Sequence, residues 1–264
     1  ELYTSRNSTS TSSASVLLSV RGGIGNQLFQ FACAYALARK FGWPLYIHVP
    51  SRTTPAEVVE RSFSLDHFHV PIHSWNRVDD KWISERQEDI VQLEDRELLG
   101  MTERHPSISA HKIVQLSPKD YCQSETFFEP YRSEIVTLFQ LKPTPLHSNN
   151  NTALFHHYHT LITSTSSTSS IAVHIRRGDF VSTGNAVPLS YYVDGITYFN
   201  SVFKNPTFFI FSDEILTPKD KEKLGLEKNF CYVEGLNSAI MDFELMTICS
   251  HGLIGNTEEI KQLS

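Results

Sequence analysis

The sequence has no long apolar run: none of its hydrophobic stretches approaches the ~20 residues that a membrane-spanning helix needs. It also has no excess of positive charge, since 23 Lys and Arg residues face 29 Asp and Glu residues for a net charge of -6. This balance excludes a broad basic surface of the kind that holds a nucleic-acid backbone. We therefore expect no nucleic-acid partner, a membrane association only through an anchor not present in this chain, and a strictly local anion site.

Cysteine is scarce, with four residues in 264. They are far apart and show no Cys-x-x-Cys spacing, so the sequence predicts neither a zinc site nor a redox motif. Buried free thiols are the simpler interpretation. The four residues are Cys33, Cys122, Cys231 and Cys249.

What the sequence does contain is typical of a globular protein, with 40% hydrophobic and 11% aromatic residues. Two Ser/Thr tracts, 8–15 and 163–170, cannot bury enough apolar area to offset chain entropy, and they predict flexible connectors. We accordingly divide the chain into a stem-like segment and two lobes joined by a linker. The predicted ranges are 1–15 for the stem, 16–162 for the N-terminal lobe, 163–170 for the linker and 171–264 for the C-terminal lobe.

Apolar strands alternate with helices in both lobes. "SVLLSV" precedes a glycine turn and the helical pattern "NQLFQFACAYALARKFG", and "IAVHIRR", "LSYYVDGITYFNSVF" and "PTFFIFSDE" repeat the order in the second lobe. Such alternation predicts an α/β fold with parallel, doubly covered sheets. In these sheets ligands bind beyond the carboxyl ends of the strands. Between Pro50 and Lys142 the pattern is too weak to assign elements.

The segment "VHIRRGDF", 173–180, places two arginines where a buried strand ends, and Asp213 follows the next strand. A guanidinium suits a diphosphate because its planar fork makes bidentate, charge-assisted hydrogen bonds. A structural alternative is that Arg176 or Arg177 pairs with Asp179 or Asp213 and pins the turn. An Arg-Gly-Asp adhesion tripeptide would need an exposed loop, and a turn that leaves a buried strand does not supply one.

The segment "RGGIGNQLFQ", 21–30, lies between a strand and a helix, where backbone amides and a helix N-terminus can approach an anion. A dinucleotide-binding fingerprint fails, because its third glycine position is Leu28 and the second strand ends in Val49 and Pro50 without an acid. No Gly-Lys-Ser/Thr follows, so a nucleoside-triphosphate loop is excluded. A purely structural tight turn stays open as the alternative.

Two Asn-x-Ser/Thr triplets begin at Asn7 and Asn150. Each lies in a polar stretch, and each would be glycosylated only in a secretory compartment.

Four segments together resemble the successive motifs of the α-1,2-fucosyltransferases, in order and at plausible spacing, over about residues 16–256. After "LIGN" the family continues with a Ser-Ser-Phe-Ser-Trp-Trp stretch, whereas this chain reads "TEEIKQLS", which is the pattern of a divergent or C-terminally shortened member with an incomplete donor lobe. The four segments are "GGIGNQLFQFACAYALA", "VHIRRGDF", "FIFSDE" and "DFELMTICSHGLIGN".

The resemblance implies a GT-B-like fold of two Rossmann-type lobes with a cleft between them, an N-terminal acceptor lobe and a C-terminal GDP-fucose lobe. It implies inverting transfer of L-fucose from GDP-fucose to a glycan acceptor, usually at O2 of a galactoside. No cofactor or metal is expected, and the sequence lacks the Asp-x-Asp pair that carries Mn²⁺ in metal-dependent glycosyltransferases. The alternative is a catalytically weak or inactive relative that binds GDP or a sugar.

Residue roles follow from the same resemblance and from related α-1,6- and protein-O-fucosyltransferases. Arg176 would hold the β-phosphate and act in catalysis, and His174 would line the guanine pocket. Asp213 would accept hydrogen bonds from guanine nitrogens. Arg177 and Asp179 would brace the turn.

The glycine turn would close over the diphosphate from the other lobe through Gly23, Gly25 and Asn26. Inversion also needs a general base. The candidates for the base are Asp66, His67 and Asp179. In animals such enzymes are expected in the Golgi lumen as the lumenal part of a type II membrane glycoprotein, and in bacteria in the cytoplasm.

Overall fold

Parallel strands form two separate sheets in the computed structural model of the chain. The residues that the structure describes are 14–50, 62–71, 76–101, 112–117, 121–143, 150–165, 169–182, 184, 186–225 and 229–255. The chain divides into two compact units, 1–144 and 145–264. No helix among the described residues combines the length and the apolar character needed to cross a bilayer.

The first unit is built on a five-stranded parallel sheet in the order β3-β2-β1-β5-β4. Its strands are β1 (Ser15–Ser19), β2 (Leu45–His48), β3 (Asn76–Val78), β4 (Ile90–Leu93) and β5 (Ile113–Leu116). Its helices are α1 (Ile24–Phe41), α2 (Asp80–Ser84), α3 (Asp95–Leu99) and α4 (Arg132–Leu138).

The first helix, α1, confirms the predicted strand, glycine turn and helix. It ends at Gly42, whose φ of 67° is left-handed and whose N–H donates to the carbonyl of Ala38. Its last turn carries Arg39 and Lys40, cations that complement the negative end of the helix dipole. The buried side of α1 holds Phe31, one of the largest fully buried side chains in the chain.

The second unit is built on a four-stranded parallel sheet in the order β8-β7-β6-β9. Its strands are β6 (Ser170–Ile175), β7 (Thr207–Ser212), β8 (Phe230–Tyr232) and β9 (His251–Ile254). Its helices are α5 (Asn150–Ser164), α6 (Gly178–Ser182), α7 (Leu189–Val202), α8 (Pro218–Lys223) and α9 (Ala239–Ile248).

Both faces of this second sheet are covered, as the sequence predicts. Alternate residues of β6 point to opposite faces, so Val173 packs with Tyr192 of α7 in one core. Ala172 packs in the other core with Tyr158 of α5 and Leu245 of α9. This is the layering that an α/β sheet with apolar central strands requires.

The structure divides the chain earlier than the predicted linker, between Thr144 and Pro145. Helix α5 belongs to the second unit because its apolar side, including Phe155 and Ile162, packs on the core beneath β7. The predicted linker 163–170 is thereby corrected: Thr163 and Ser164 are helical, and Ser170 begins β6 at 2% exposure. Within that tract 166–168 lie outside the described residues.

In the segment 50–142, which has no clear sequence pattern, the described residues form β3, β4, β5, three short α-helices and four one-turn 3-10 helices. Its strands are three or four residues long; of the two at the sheet edges, β3 is mostly exposed and β4 is mostly half-buried or exposed. Edge strands this short carry too few alternating apolar residues to be recognised by periodicity.

Candidate functional site

The candidate site lies at the carboxyl edge of the second sheet. Strands β6 and β7 pair in register, with Ile175 opposite Ser212. The residues that follow them, Arg176 and Asp213, therefore leave the sheet side by side. The structure thus brings together the two motifs that the sequence predicted at this edge.

Asp213 holds the turn that follows β6. One of its oxygens, Oδ1, accepts a hydrogen bond from the backbone N–H of Arg177 at 2.8 Å. The other, Oδ2, lies 3.1 Å from Nε of Arg176, in an ion pair rather than an aligned hydrogen bond. A Cβ added to Gly178 would lie only 2.8 Å from the same Oδ2, so the Arg-Arg-Gly sequence needs its glycine for this close approach.

The Arg176 guanidinium is fixed from two directions. Its central carbon lies 4.9 Å from the ring centroid of Phe180, within cation–π range, and Asp213 faces its Nε. The side chain is 24% exposed. A partly buried guanidinium with a set orientation can bind a phosphate without first losing much side-chain entropy. The pairing with Asp213 that the sequence raised as an alternative is therefore present, and it sets the position of the Arg176 guanidinium; the phosphate contact of that guanidinium stays a prediction.

Arg177 turns toward α8 instead. Its Nη1 lies 3.9 Å from Oδ1 of Asp220. Asp220 forms a capping box with Thr217, whose hydroxyl donates to Asp220 Oδ2 at 2.7 Å and lowers the pKa of that carboxyl. This contact agrees with a bracing role for Arg177. The side chain of Asp179, the other predicted brace, lies outside the described residues.

His174 precedes this turn by two residues and is half-buried in β6. Burial lowers the pKa of its imidazole, the Asp213 carboxylate opposes that effect, and the Arg176 charge lowers the pKa further. The net shift favours a neutral imidazole at neutral pH, which can both donate and accept a hydrogen bond. This is compatible with the predicted place in a base-binding pocket, which stays a prediction.

Tyr192 of α7 lies beneath the same edge with a fully buried side chain. Burial raises the pKa of its hydroxyl to about 12, an effect that the nearby Arg176 backbone N–H partly offsets. A Cβ added to Gly255, just after β9, would lie 2.6 Å from this hydroxyl. A side chain at position 255 would clash with Tyr192, so the glycine leaves room for the tyrosine to pack there.

Asp242 is a further candidate site residue. It belongs to the segment "DFELMTICSHGLIGN", but the sequence alone predicted no role for it. It lies in the first turn of α9, which begins beyond the carboxyl end of β8. Its carboxyl is half-buried, and desolvation raises its pKa from 3.8 to about 6. The spacing along the helix indicates this burial, because Asp242 lies on the same helix face as Leu245 and Met246, which pack in the apolar core.

This raised pKa predicts a pH-dependent stability. The folded state binds the Asp242 proton more tightly than the unfolded chain, so its stabilisation is complete below pH 3.8 and is lost as the pH rises through about 6. We expect Asp242→Asn to remove that loss and to gain ~1–2 kcal/mol of unfolding free energy over the parent between pH 4 and pH 7, less than the full shift because solvent screens the half-buried carboxyl. Urea unfolding at both pH values measures it.

Asp194→Asn is the matched control, since Asp194 is an exposed acid on α7 of the same unit. If the free energy of unfolding changes with pH to the same extent in the parent and in Asp242→Asn, the Asp242 carboxyl is not desolvated in the folded state.

In the first unit, the predicted glycine turn is clamped by its own helix. The buried Gln27 donates to the carbonyl of Gly22 at 2.8 Å, and the buried Gln30 donates to the carbonyls of Arg21 and Asn26, each at 2.9 Å. The two glutamines of the segment "NQLFQ" thus fix the shape of the glycine turn through hydrogen bonds to its carbonyls.

The three predicted donor-binding residues of this turn lie together at the start of α1. Gly23 is the N-cap, without a side-chain hydrogen bond to the helix, and neither Gly23 nor Gly25 has an atom within 4 Å of an added Cβ. Asn26 accepts a hydrogen bond from Gln123 at 2.8 Å. The geometry leaves the backbone approachable, and the contact with a diphosphate stays a prediction.

The other predicted site residues are less informative. Asp66 and His67 are exposed in a one-turn 3-10 helix of the first unit, and nothing in their contacts selects either as a base. Asn150 is the first residue of α5, and its side chain lies outside the described residues, as do Asn7 and the segment 257–264.

The known proteins to which the chain is similar are glycosyltransferases. The sequence model of glycosyl transferase family 11 matches residues 101–258. The chain is 26% identical to alpha-1,2-colitosyltransferase of Escherichia coli, over 92% of this chain and 84% of that protein. It is 25% identical to galactoside alpha-(1,2)-fucosyltransferase 2 of Oryctolagus cuniculus, over 89% of this chain and 62% of that protein.

Two solved structures share the fold. Fucosyltransferase NodZ from Bradyrhizobium superposes with a TM-score of 0.51 at 16% identity, over 91% of this chain and 88% of that chain. A mutant of Arabidopsis thaliana FUT1 in complex with GDP gives a TM-score of 0.53 at 11% identity, over 93% and 66%. The predicted class, α/β and GT-B-like with parallel sheets, is confirmed. The cleft between the lobes stays a prediction.

Proposed function

The chain belongs to glycosyl transferase family 11, and from that premise we propose that it transfers L-fucose from GDP-fucose to a hydroxyl of a glycan. We assign O2 of a galactoside as the acceptor atom, with inversion at the sugar carbon. Two relatives carry α-1,2 linkages in their names, one for fucose and one for colitose. A donor carrying colitose is therefore the second candidate.

The observation that carries the proposal is the fixed guanidinium of Arg176 at the carboxyl edge of the second sheet. When the bond between the sugar and the diphosphate breaks, negative charge develops on the β-phosphate oxygens. A positioned guanidinium stabilises that charge through charge-assisted hydrogen bonds without reorganising at the moment of reaction. Asp213 and Phe180 supply that positioning.

The roles of the neighbouring groups follow from their contacts. Asp213 already uses both oxygens within the turn, so we assign it first to holding Arg176. Contact with guanine, the role that the resemblance implied, remains a separate prediction for this carboxylate. His174, with its lowered pKa, would meet the base as a neutral imidazole.

We further propose that the transfer needs no metal ion or cofactor. The diphosphate charge would be met by Arg176 and by the backbone amides of the glycine turn at Gly23 and Gly25. A carboxylate or imidazole would take the proton from the acceptor hydroxyl, and Asp66, His67 and Asp179 remain the candidates.

The compartment depends on the source of the chain. Relatives occur both in Escherichia coli and in mammals. In an animal we would place it in the Golgi lumen, with Asn7 and Asn150 as glycosylation sites, and in a bacterium in the cytoplasm.

The test is transfer of labelled fucose from GDP-fucose to a β-galactoside by the purified chain, with and without EDTA, with the product linkage determined by NMR. We expect an α-1,2-linked product in the presence of EDTA. A colitose donor measured in parallel decides between the two sugars. GDP binding without turnover would favour the inactive binding relative, and neither binding nor turnover would contradict both functions.

A further inference from the structure

Two buried thiols lie side by side in the first unit. All four cysteines are free, with Cys33 and Cys122 buried and Cys231 and Cys249 half-buried. The Cys122 thiol lies within hydrogen-bonding reach of the Cys33 thiol, although β2, β3, β4 and β5 separate the two residues along the chain. The fold therefore brings together two cysteines whose sequence spacing gave no sign of a pair.

Neighbouring contacts along α1 support this placement. Oδ1 of Asn26 accepts a hydrogen bond from Gln123 at 2.8 Å, and the ring of Phe29 lies 6.1 Å from the ring of Phe128. Cys33 lies on the same face of α1, because it follows Asn26 by seven positions and Phe29 by four. The contact between the two thiols is thus part of a larger packed surface.

The conformation of Cys122 is unusual, and contacts on both sides hold it. Its φ of 52° lies in the left-handed region, which a residue with a Cβ rarely adopts. Before it, the ring of Tyr121 lies 4.4 Å from the guanidinium carbon of Arg21. After it, the N–H of Ser124 donates to the Cys122 carbonyl at 2.8 Å. Such a conformation persists only where the surrounding structure determines it.

The surroundings keep the Cys122 thiol protonated in the folded state. The contact with Cys33 raises its pKa most, followed by burial and by the carboxylate of Asp95, to whose Oδ1 the thiol donates at 3.3 Å. Because the thiolate is the reactive form, the folded pair reacts slowly. Oxidation is therefore expected while the chain folds, when both thiols are accessible.

The pair lacks the further ligands of a metal site. Among the described residues, no group of three His, Cys, Asp or Glu side chains is suited to a metal ion. Two thiols in contact can instead be joined to each other by oxidation.

We propose that Cys33 and Cys122 form a disulfide when the chain folds in the presence of a small-molecule disulfide such as oxidised glutathione. The thiolate of one cysteine attacks oxidised glutathione and releases one reduced molecule. The thiolate of the other then attacks the protein sulfur of the mixed disulfide and releases the second. The two protein thiols lose two electrons and two protons, which the two glutathione molecules receive.

The disulfide would fasten the segment 121–123 to α1 beside the glycine turn. It also closes a long loop, and a cross-link of this kind stabilises a protein mainly by restricting the unfolded chain. The proposal rests on the first unit alone, and it holds whether or not the chain transfers fucose.

The test is to refold the full chain from urea with a mixture of reduced and oxidised glutathione, alkylate the remaining thiols and map the peptides by mass spectrometry. We expect Cys231 and Cys249 to be alkylated, and Cys33 and Cys122 to appear in one cross-linked peptide pair. The midpoint of urea unfolding should lie about 1 M higher for the oxidised protein than for the same protein after reduction.

Cys33→Ala and Cys231→Ala are matched variants, since each removes one thiol and only the first removes a member of the pair. Cys33→Ala should lose the cross-link and the shift in midpoint, and Cys231→Ala should keep both. Cys122→Ser provides a second variant of the pair. Alkylation of all four cysteines after oxidative refolding, or a cross-link that includes Cys231 or Cys249, would overturn the proposal. A cross-linked parent that is no more stable than the reduced protein would contradict it as well, because the folded thiols would then not be placed to bond.

Discussion

Arg176→Ala should weaken GDP binding about 10- to 100-fold, the equivalent of the ~1.5–3 kcal/mol of a hydrogen bond to a charged group. The rate of sugar transfer should fall further, by about 10²–10³, because the charge that the guanidinium meets is larger in the transition state than in bound GDP-fucose. Calorimetry with GDP and initial rates with saturating donor measure the two effects separately.

Arg176→Lys makes this prediction specific. Lysine keeps the positive charge but loses the planar fork, the stacking on Phe180 and the Nε that faces Asp213. We expect it to recover part of the GDP affinity and little of the rate. Lys219→Ala, which removes one exposed cation from α8, is the control for net charge. Equal loss in Arg176→Ala and Lys219→Ala would mean that charge alone, and not the fixed guanidinium, binds the nucleotide.

Asp213→Ala should destabilise the protein by ~1–3 kcal/mol, because the Arg177 N–H loses its acceptor and Arg176 loses its counter-ion. The ion-pair part of this loss is small, since the side chains of Arg176 and Asp213 are 24% and 27% exposed and solvent screens them. Asp213→Asn keeps an acceptor for the N–H and should recover more than half of the loss. Urea unfolding measures both variants.

The same pair of variants separates the two roles of Asp213. If Asp213 is a positioning residue, GDP affinity and stability should both fall in Asp213→Ala, and both values for Asp213→Asn should lie between those of the alanine variant and the parent. If Asp213 contacts guanine, Asp213→Asn should show a lower preference for GDP over ADP while its stability stays near the parent value. Unchanged stability in Asp213→Ala would contradict the bracing role described above.

The central features of the second unit could be predicted from local sequence. "IAVHIRRGDF" and "FIFSDE" are apolar strands followed at once by charged residues, and parallel strands bring such ends to one edge. The glycine turn and α1 were likewise predictable, because glycine, a long apolar periodic stretch and a C-terminal glycine are local signals. Such local patterns can be recognised without knowing which residues they contact elsewhere in the chain.

The contacts that decide the geometry of the site were not predictable in this way. Arg177 meets Asp220 of α8, which lies far from the motif in sequence, and α5 packs on the second sheet although it precedes the predicted linker. A periodic pattern shows that a helix has an apolar side, but it does not show which sheet that side covers.

By itself, the sequence determined the fold class, the strand-end position of Arg176 and the membership of the chain in a transferase family, because each rests on residues that lie close together along the chain. The tertiary structure alone decided that Asp213 holds Arg176 from one side, and that the side chains of Ser19, His48, Asp80 and Gln115 are joined by hydrogen bonds. The strand order β3-β2-β1-β5-β4 places Ser19 between His48 and Gln115 on neighbouring strands, and strand order is set by packing across the sheet rather than by local sequence.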